Sequence, residues 1–122
     1  MDWAFRSDSP IYTQLIERLT EGIIVGAFSP GERLPSVRDL ALEAGVNPNT
    51  VQRALSDLER EGLVFSQRTA GRFVTEDIGM IENAKFRLAD ERVEEFLRSM
   101  KKLGCSKEEA IKLLIEAKEE EK

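Results

Sequence analysis

The chain has 122 residues, 41% of them hydrophobic, with 18 basic and 23 acidic side chains and a net charge of −5. That composition suits one globular domain, or a small domain with an appendage. With no histidine and a single cysteine, Cys105, it excludes an intrachain disulfide and the common zinc and histidine-dependent catalytic arrangements.

No cofactor is expected. No apolar run approaches the roughly 18 residues of a membrane span, and the polar, acidic start MDWAFRSDSP is unlike a secretory signal, so a cytoplasmic protein without a membrane partner is expected. The charge is unevenly distributed. Residues 1–76 hold 8 Arg, no Lys and 11 acids, whereas 77–122 hold every lysine, 10 basic residues in all and 12 acids. Arginine's planar fork matches phosphate and guanine bidentately, so an arginine-only first part points toward nucleic acid despite the acidic total.

In chain order, residues 1–8 form an arm whose Trp3 and Phe5 pack either on the domain or on a partner subunit. Ser9-Pro10 has the form of a helix start, with Ser as N-cap and Pro at the first helical position. Ile11, Leu15, Leu19 and Ile23 then recur at helical spacing as far as Gly26. GAFSPGERLPS interrupts the period and is expected to be an ordered loop rather than a strand or helix. Ser36 caps a short second helix with Val37, Leu40, Ala41 and Ala44 on one face, ended by Gly45. Asn47-Pro48 repeats the start signal for a third helix over 48–61, on which Val51, Ala54, Leu55 and Leu58 form the apolar face. Two short helices joined by a tight turn are the helix-turn-helix arrangement.

LVFSQ and RFVTE, separated by a turn that ends in Gly71, are expected to form a hairpin. Two strands alone are not stable in water, so the hairpin must lean on the helices as a wing. From Asp77 the period is again helical. Ala89, Val93, Phe96, Leu97, Met100 and Leu103 make a stripe up to Gly104. Ser106 to Glu109 is a capping box opening a last helix with Ala110, Ile111, Leu114 and Ile115 on its apolar face. The fold class expected is therefore mostly α with a β-hairpin. A winged helix-turn-helix domain over 1–76 precedes a two-helix segment over 77–122. The long helix has more apolar surface than its short companion covers. Val93, Phe96, Leu97, Met100, Leu103, Ile111, Leu114 and Ile115 are therefore candidates for dimerisation, with folding back on the winged domain as the alternative.

The run from Pro10 to Val74, and within it PGERLPSVRDLA, GVNPNTVQRAL, LEREGL and the hairpin ending in FV, resembles the N-terminal domain of GntR-type bacterial transcription regulators. The short helical tail resembles their YtrA-type subgroup. This resemblance implies a homodimeric repressor that binds double-stranded DNA at a palindromic operator, and so acts at the nucleoid. It implies DNA contact by Arg38, by Asn47, Asn49, Thr50 and Gln52 at the start of the recognition helix, and by the wing through Gly71 with its flanking Arg68 and Arg72. Many relatives carry arginine at the positions of Pro48 and Gln52, and their Gly-Lys-Gly-Thr wing tip is here Thr69-Ala70-Gly71-Arg72. Base preferences of those relatives therefore do not transfer, and a glutamine at position 52 suits a bidentate contact with adenine. Arg53 is either a phosphate clamp or the i+4 salt-bridge partner of Asp57, and Arg33 is expected to be structural. No small-molecule effector is legible. The alternative function is a winged-helix adaptor for protein partners that does not bind DNA. It would not require Arg38, Thr50, Gln52 and the wing arginines to converge.

Overall fold

The computed structural model describes Met1 and residues 3–119. The elements run α1 (Ile11–Ile24), α2 (Val37–Ala44), α3 (Pro48–Arg60), β1 (Val64–Gln67), β2 (Gly71–Val74), α4 (Ile78–Lys102) and α5 (Lys107–Glu116). The chain forms two compact units, Met1–Lys85 and Phe86–Lys122, and Ile81 and Ala84 of α4 belong to the core of the first.

In the first unit, Leu15, Leu19 and Ile23 of α1 meet Leu40 and Ala41 of α2 and Val51, Ala54, Leu55 and Leu58 of α3. All of these side chains are essentially removed from water, and at roughly 1.5–3 kcal/mol per large aliphatic they are the main stabilising term. The helix starts follow the expected chemistry at two places. Ser36 Oγ accepts from the Asp39 amide at 3.1 Å, and Asn47 Oδ1 accepts from the Asn49 amide at 2.8 Å with Pro48 in the first helical turn. Between them Gly45 ends α2 at φ +69°, a left-handed conformation that a side chain would strain.

Ser9 departs from expectation: the N-cap of α1 is Pro10, and no side chain caps the helix. The physical reason is Gln14, buried on α1. Its Oε1 accepts from the Arg6 amide at 2.7 Å, and its Nε2 donates to the carbonyls of Arg6 and Ser9 at 2.8 and 2.9 Å. The preceding chain is thereby drawn across the helix, and the first turn begins one residue later. Trp3 and Phe5 pack against this unit's own core, and Trp3 Nε1 donates to Glu43 Oε1 on α2 at 3.0 Å.

The hairpin pairs Val64 with Val74, Phe65 with Phe73, Ser66 with Arg72 and Gln67 with Gly71. The Phe65 and Phe73 rings stack across it, 5.7 Å between centroids. The loop before α2 is not free of strand character. Arg33 forms an antiparallel bridge with Phe73, flanked by amide–carbonyl bonds from Gly31 to Val74, Val74 to Glu32 and Leu34 to Arg72. β2 is thus paired on both sides, which is why a two-stranded wing can hold its place. The Pro and Gly content that marks this segment as a loop hides a single extended residue whose backbone has strand partners.

The second unit joins the C-terminal part of α4 to α5 through a turn in which Gly104 takes φ +80°. Both halves of the capping box are made: Glu109 N–H donates to Ser106 Oγ at 3.1 Å, and Ser106 N–H donates to Glu109 Oε1 at 3.2 Å. Ala110 is fully buried. Among the described residues no helix is long and apolar enough to cross a membrane.

Candidate nucleic-acid interface

Three elements of the first unit meet around a concavity of about 190 Å³. Ser36 and Val37 at the start of α2, Leu55 of α3 and Gly71 and Arg72 of the wing all border it. The Arg33 side chain crosses its edge, because a Cβ placed on Gly71 would stand 3.0 Å from Arg33 Nε. Gly71 itself has φ +104°, a backbone that any side chain would strain, and an added Cβ would also press on the Arg33 side chain.

Arg38, next along the exposed side of α2, forms no ion pair or hydrogen bond among the described residues. At the start of α3, Asn49 and Gln52 are exposed and Thr50 is half-buried, while the Asn47 side chain is committed to its capping bond. Two turns further along α3, Glu59 lies on the same face as Gln52. Arg72 reaches back from β2 to both: its Nε donates to Glu59 Oε1 at 2.7 Å and its Nη1 to Gln52 Oε1 at 3.4 Å. Ser66 Oγ donates to the same Glu59 oxygen. These two hydrogen bonds, Ser66 first and Arg72 second, hold the Glu59 carboxyl below its ordinary pKa against the opposing effect of partial burial.

Arg53 does not pair with Asp57. Its guanidinium carbon lies 3.8 Å from the centroid of the Tyr12 ring on α1, and Asp57 pairs instead with Arg60 one turn on. Arg68 is exposed at the tip of the wing, with no ion pair among the described residues. The structure therefore brings Gln52 and Arg72 into contact and sets Gly71 and Arg72 beside the start of α2 that carries Arg38. Arg53 sits on the α1 side of α3. Sequence reasoning missed Glu59 and the contact of Tyr12 with Arg53, because the partners lie on different elements. The only signal available was a glutamate on the polar face of the recognition helix opposite an arginine-bearing hairpin.

The eight residues singled out in the tail divide as well. Val93, Phe96, Leu97, Ile111 and Leu114 line one open apolar groove of about 320 Å³ between α4 and α5. Met100, Leu103 and Ile115 lie outside its lining, and Leu113, which the apolar pattern passed over, is half exposed. Among the described residues no group of histidine, cysteine or carboxylate side chains can hold a metal ion.

Helix, turn, capped second helix and a doubly paired hairpin are together a winged helix-turn-helix, the architecture of a DNA-reading regulator. Residues 11–74 match the family described as "Bacterial regulatory proteins, gntR family". The chain belongs to the GntR family, whose members are transcription regulators and not enzymes. It is of the YtrA-like type. It is 39% identical to the HTH-type transcriptional repressor YtrA of Bacillus subtilis over 80% of this chain and 71% of that one. Among solved structures, a GntR family transcriptional regulator from Listeria monocytogenes superposes with a TM-score of 0.82 at 35% identity, covering 93% of this chain and 100% of that one. AraR(DBD), in complex with operator ORX1, superposes with a TM-score of 0.55 at 28% identity, over 59% of this chain and 93% of that one.

Proposed function

We propose that the protein is a homodimeric, sequence-specific repressor that binds a palindromic operator through α3, Arg38 and the wing over 68–72, and that it works in the cytoplasm. The observation that carries this reading is the meeting of the start of α2, Leu55 of α3 and the wing around one concavity, with Arg72 of the wing bonded to Gln52 on the polar face of α3 and Arg38 exposed and unpaired one residue beyond Val37. An unpaired guanidinium on α2 and exposed polar side chains at the start of α3 suit phosphate and base contacts. The AraR(DBD) structure with its operator supports the same use of the domain. An adaptor that binds only proteins has no use for this convergence.

The roles assigned are specific. Arg38 and Asn49 engage the strand backbone and bases at the groove entrance, Thr50 and Gln52 face base edges, and Asn47 sets the helix start that aims them. Arg53, steadied on Tyr12, and Arg68 contact phosphates. Gly71 lets the wing backbone approach the minor groove, beside Arg72. The exposed apolar groove of α4 and α5, with Met100, Leu103 and Ile115 alongside, receives a second copy of the chain and so presents two recognition helices to the two half-sites.

A mobility-shift comparison of duplexes selected for binding with scrambled controls tests the reading. Specific retardation that is lost with Arg38→Ala plus Gln52→Ala is expected. Equal retardation of both duplexes, or no effect of the double substitution, overturns it.

A further inference from the structure

The pair formed by Arg72 and Gln52 constrains how a base edge can be read. An amide has a donor end and an acceptor end, whereas a guanidinium only donates. Contact with Arg72 Nη1 therefore requires the Gln52 oxygen to face the wing, as it does at 3.4 Å. Arg72 is itself held from behind. Its Nε is 2.7 Å from Glu59 Oε1, its side chain is only 20% exposed, and Ser66 across the hairpin braces the same carboxylate. The order of contacts is Ser66, Glu59, Arg72, Gln52: a wing hydroxyl, a helix acid, a wing base and then an exposed amide on the same helix face as the acid.

We propose that Arg72 is a positioning residue that fixes the Gln52 amide with its NH₂ group outward, so that the protein reads guanine at the base pair Gln52 meets. The inference rests on the DNA-reading function proposed above. A bidentate contact with adenine needs the glutamine oxygen to accept from N6 while the nitrogen donates to N7. With that oxygen turned to Arg72, the amide acts as a donor. Guanine offers two adjacent acceptors, N7 and O6, in the major groove, whereas thymine offers one beside a methyl group and adenine pairs its N7 with the N6 donor. The adenine preference that a free glutamine suggests is thus reversed by a side chain on another element.

The test measures dissociation constants of the full chain for a panel of operator duplexes, varied one base pair at a time. It compares the unmodified protein with Gln52→Ala, Arg72→Ala, the double variant and Glu59→Gln, each checked for native circular dichroism. Gln52→Ala identifies the pair that Gln52 reads. Guanine is expected there, and Arg72→Ala is expected to lower that preference by about tenfold while preferences elsewhere stay in place. In the Gln52→Ala background Arg72→Ala should add nothing at that pair. Glu59→Gln, which keeps Arg72 but loosens it, should shift the preference in the same direction if Arg72→Ala does not fold. Adenine at that pair in the unmodified protein, or an Arg72→Ala loss equal for every duplex, overturns the inference and leaves operator reading intact. A protein that distinguishes none of the duplexes overturns both.

Discussion

The guanidinium of Arg53 rests 3.8 Å above the ring of Tyr12, so a residue of the recognition helix is held by the first helix of the domain. Guanidinium over an aromatic face contributes about 0.5–1 kcal/mol at an exposed site. Tyr12→Leu keeps most of the apolar area and removes the ring. It is expected to lower stability by about 1 kcal/mol and to weaken DNA binding to a similar degree at every operator sequence, since a phosphate contact carries no base information. Urea denaturation and fluorescence anisotropy check the two effects separately. A change in sequence preference would contradict the phosphate role.

Gln14 is a buried polar residue with every amide function used, and it ties the N-terminal arm to α1. Gln14→Ala leaves the Arg6 amide and two carbonyls without their partner, which costs about 1–3 kcal/mol where those groups stay buried. The expected result is a lower Tm together with a red shift of Trp3 fluorescence, because the arm that seats Trp3 against the core is released. Gln14→Glu should be worse than a neutral isostere suggests, since an ionised carboxylate cannot donate to the carbonyls of Arg6 and Ser9.

Glu59 gives a pH dependence with a defined sign. Its carboxyl is held below the ordinary value near 4.5 by Ser66 and Arg72. Below that value the unfolded chain binds the proton first, so stability rises with pH across the window between the folded and unfolded values. The contribution is complete above about pH 5 and is lost as acid protonates the folded carboxyl. Denaturation midpoints measured from pH 3 to pH 7 should therefore fall less steeply with acid in Glu59→Gln than in the unmodified protein. Parallel profiles would show that the clasp contributes nothing.

The proposed dimer makes a separable prediction. Phe96→Asp and Leu114→Asp place a carboxylate in the apolar groove of α4 and α5. Sedimentation should show a monomer in each variant. Half-site DNA should be bound nearly as well as before, whereas the palindrome should lose the gain that comes from two linked modules. Monomeric unmodified protein at the concentrations that bind DNA would remove the dimer from the account.

Local chemistry was legible and long-range pairing was not. The Asn47-Pro48 start, the Gly45 stop and the Ser106 capping box each involve neighbours within one turn, and each takes the geometry its residues imply. Ser9 misled because the same local signal lost to Gln14, a partner the apolar stripe of α1 conceals. The bridge at Arg33 depends on a strand some forty residues later, so a Pro- and Gly-rich segment alone does not disclose it. At the site, the residue types and their side of the fold could be inferred, but Arg72 meeting Gln52 and Glu59, and Arg53 meeting Tyr12, are tertiary contacts without a periodic signature.

The clasp of Arg72 by Glu59 also bears on how an acidic chain of net charge −5 deals with a polyanion. Glu59 acts as an internal counterion. In the proposed DNA complex one arginine of the wing would arrive already neutralised, and the acid on α3 is masked at the same time. Fewer salt ions are then exchanged on binding than the arginines near the groove suggest by number, and the slope of affinity against salt should be correspondingly shallow. Glu59→Gln, by freeing that cation, should steepen the slope by about one ion.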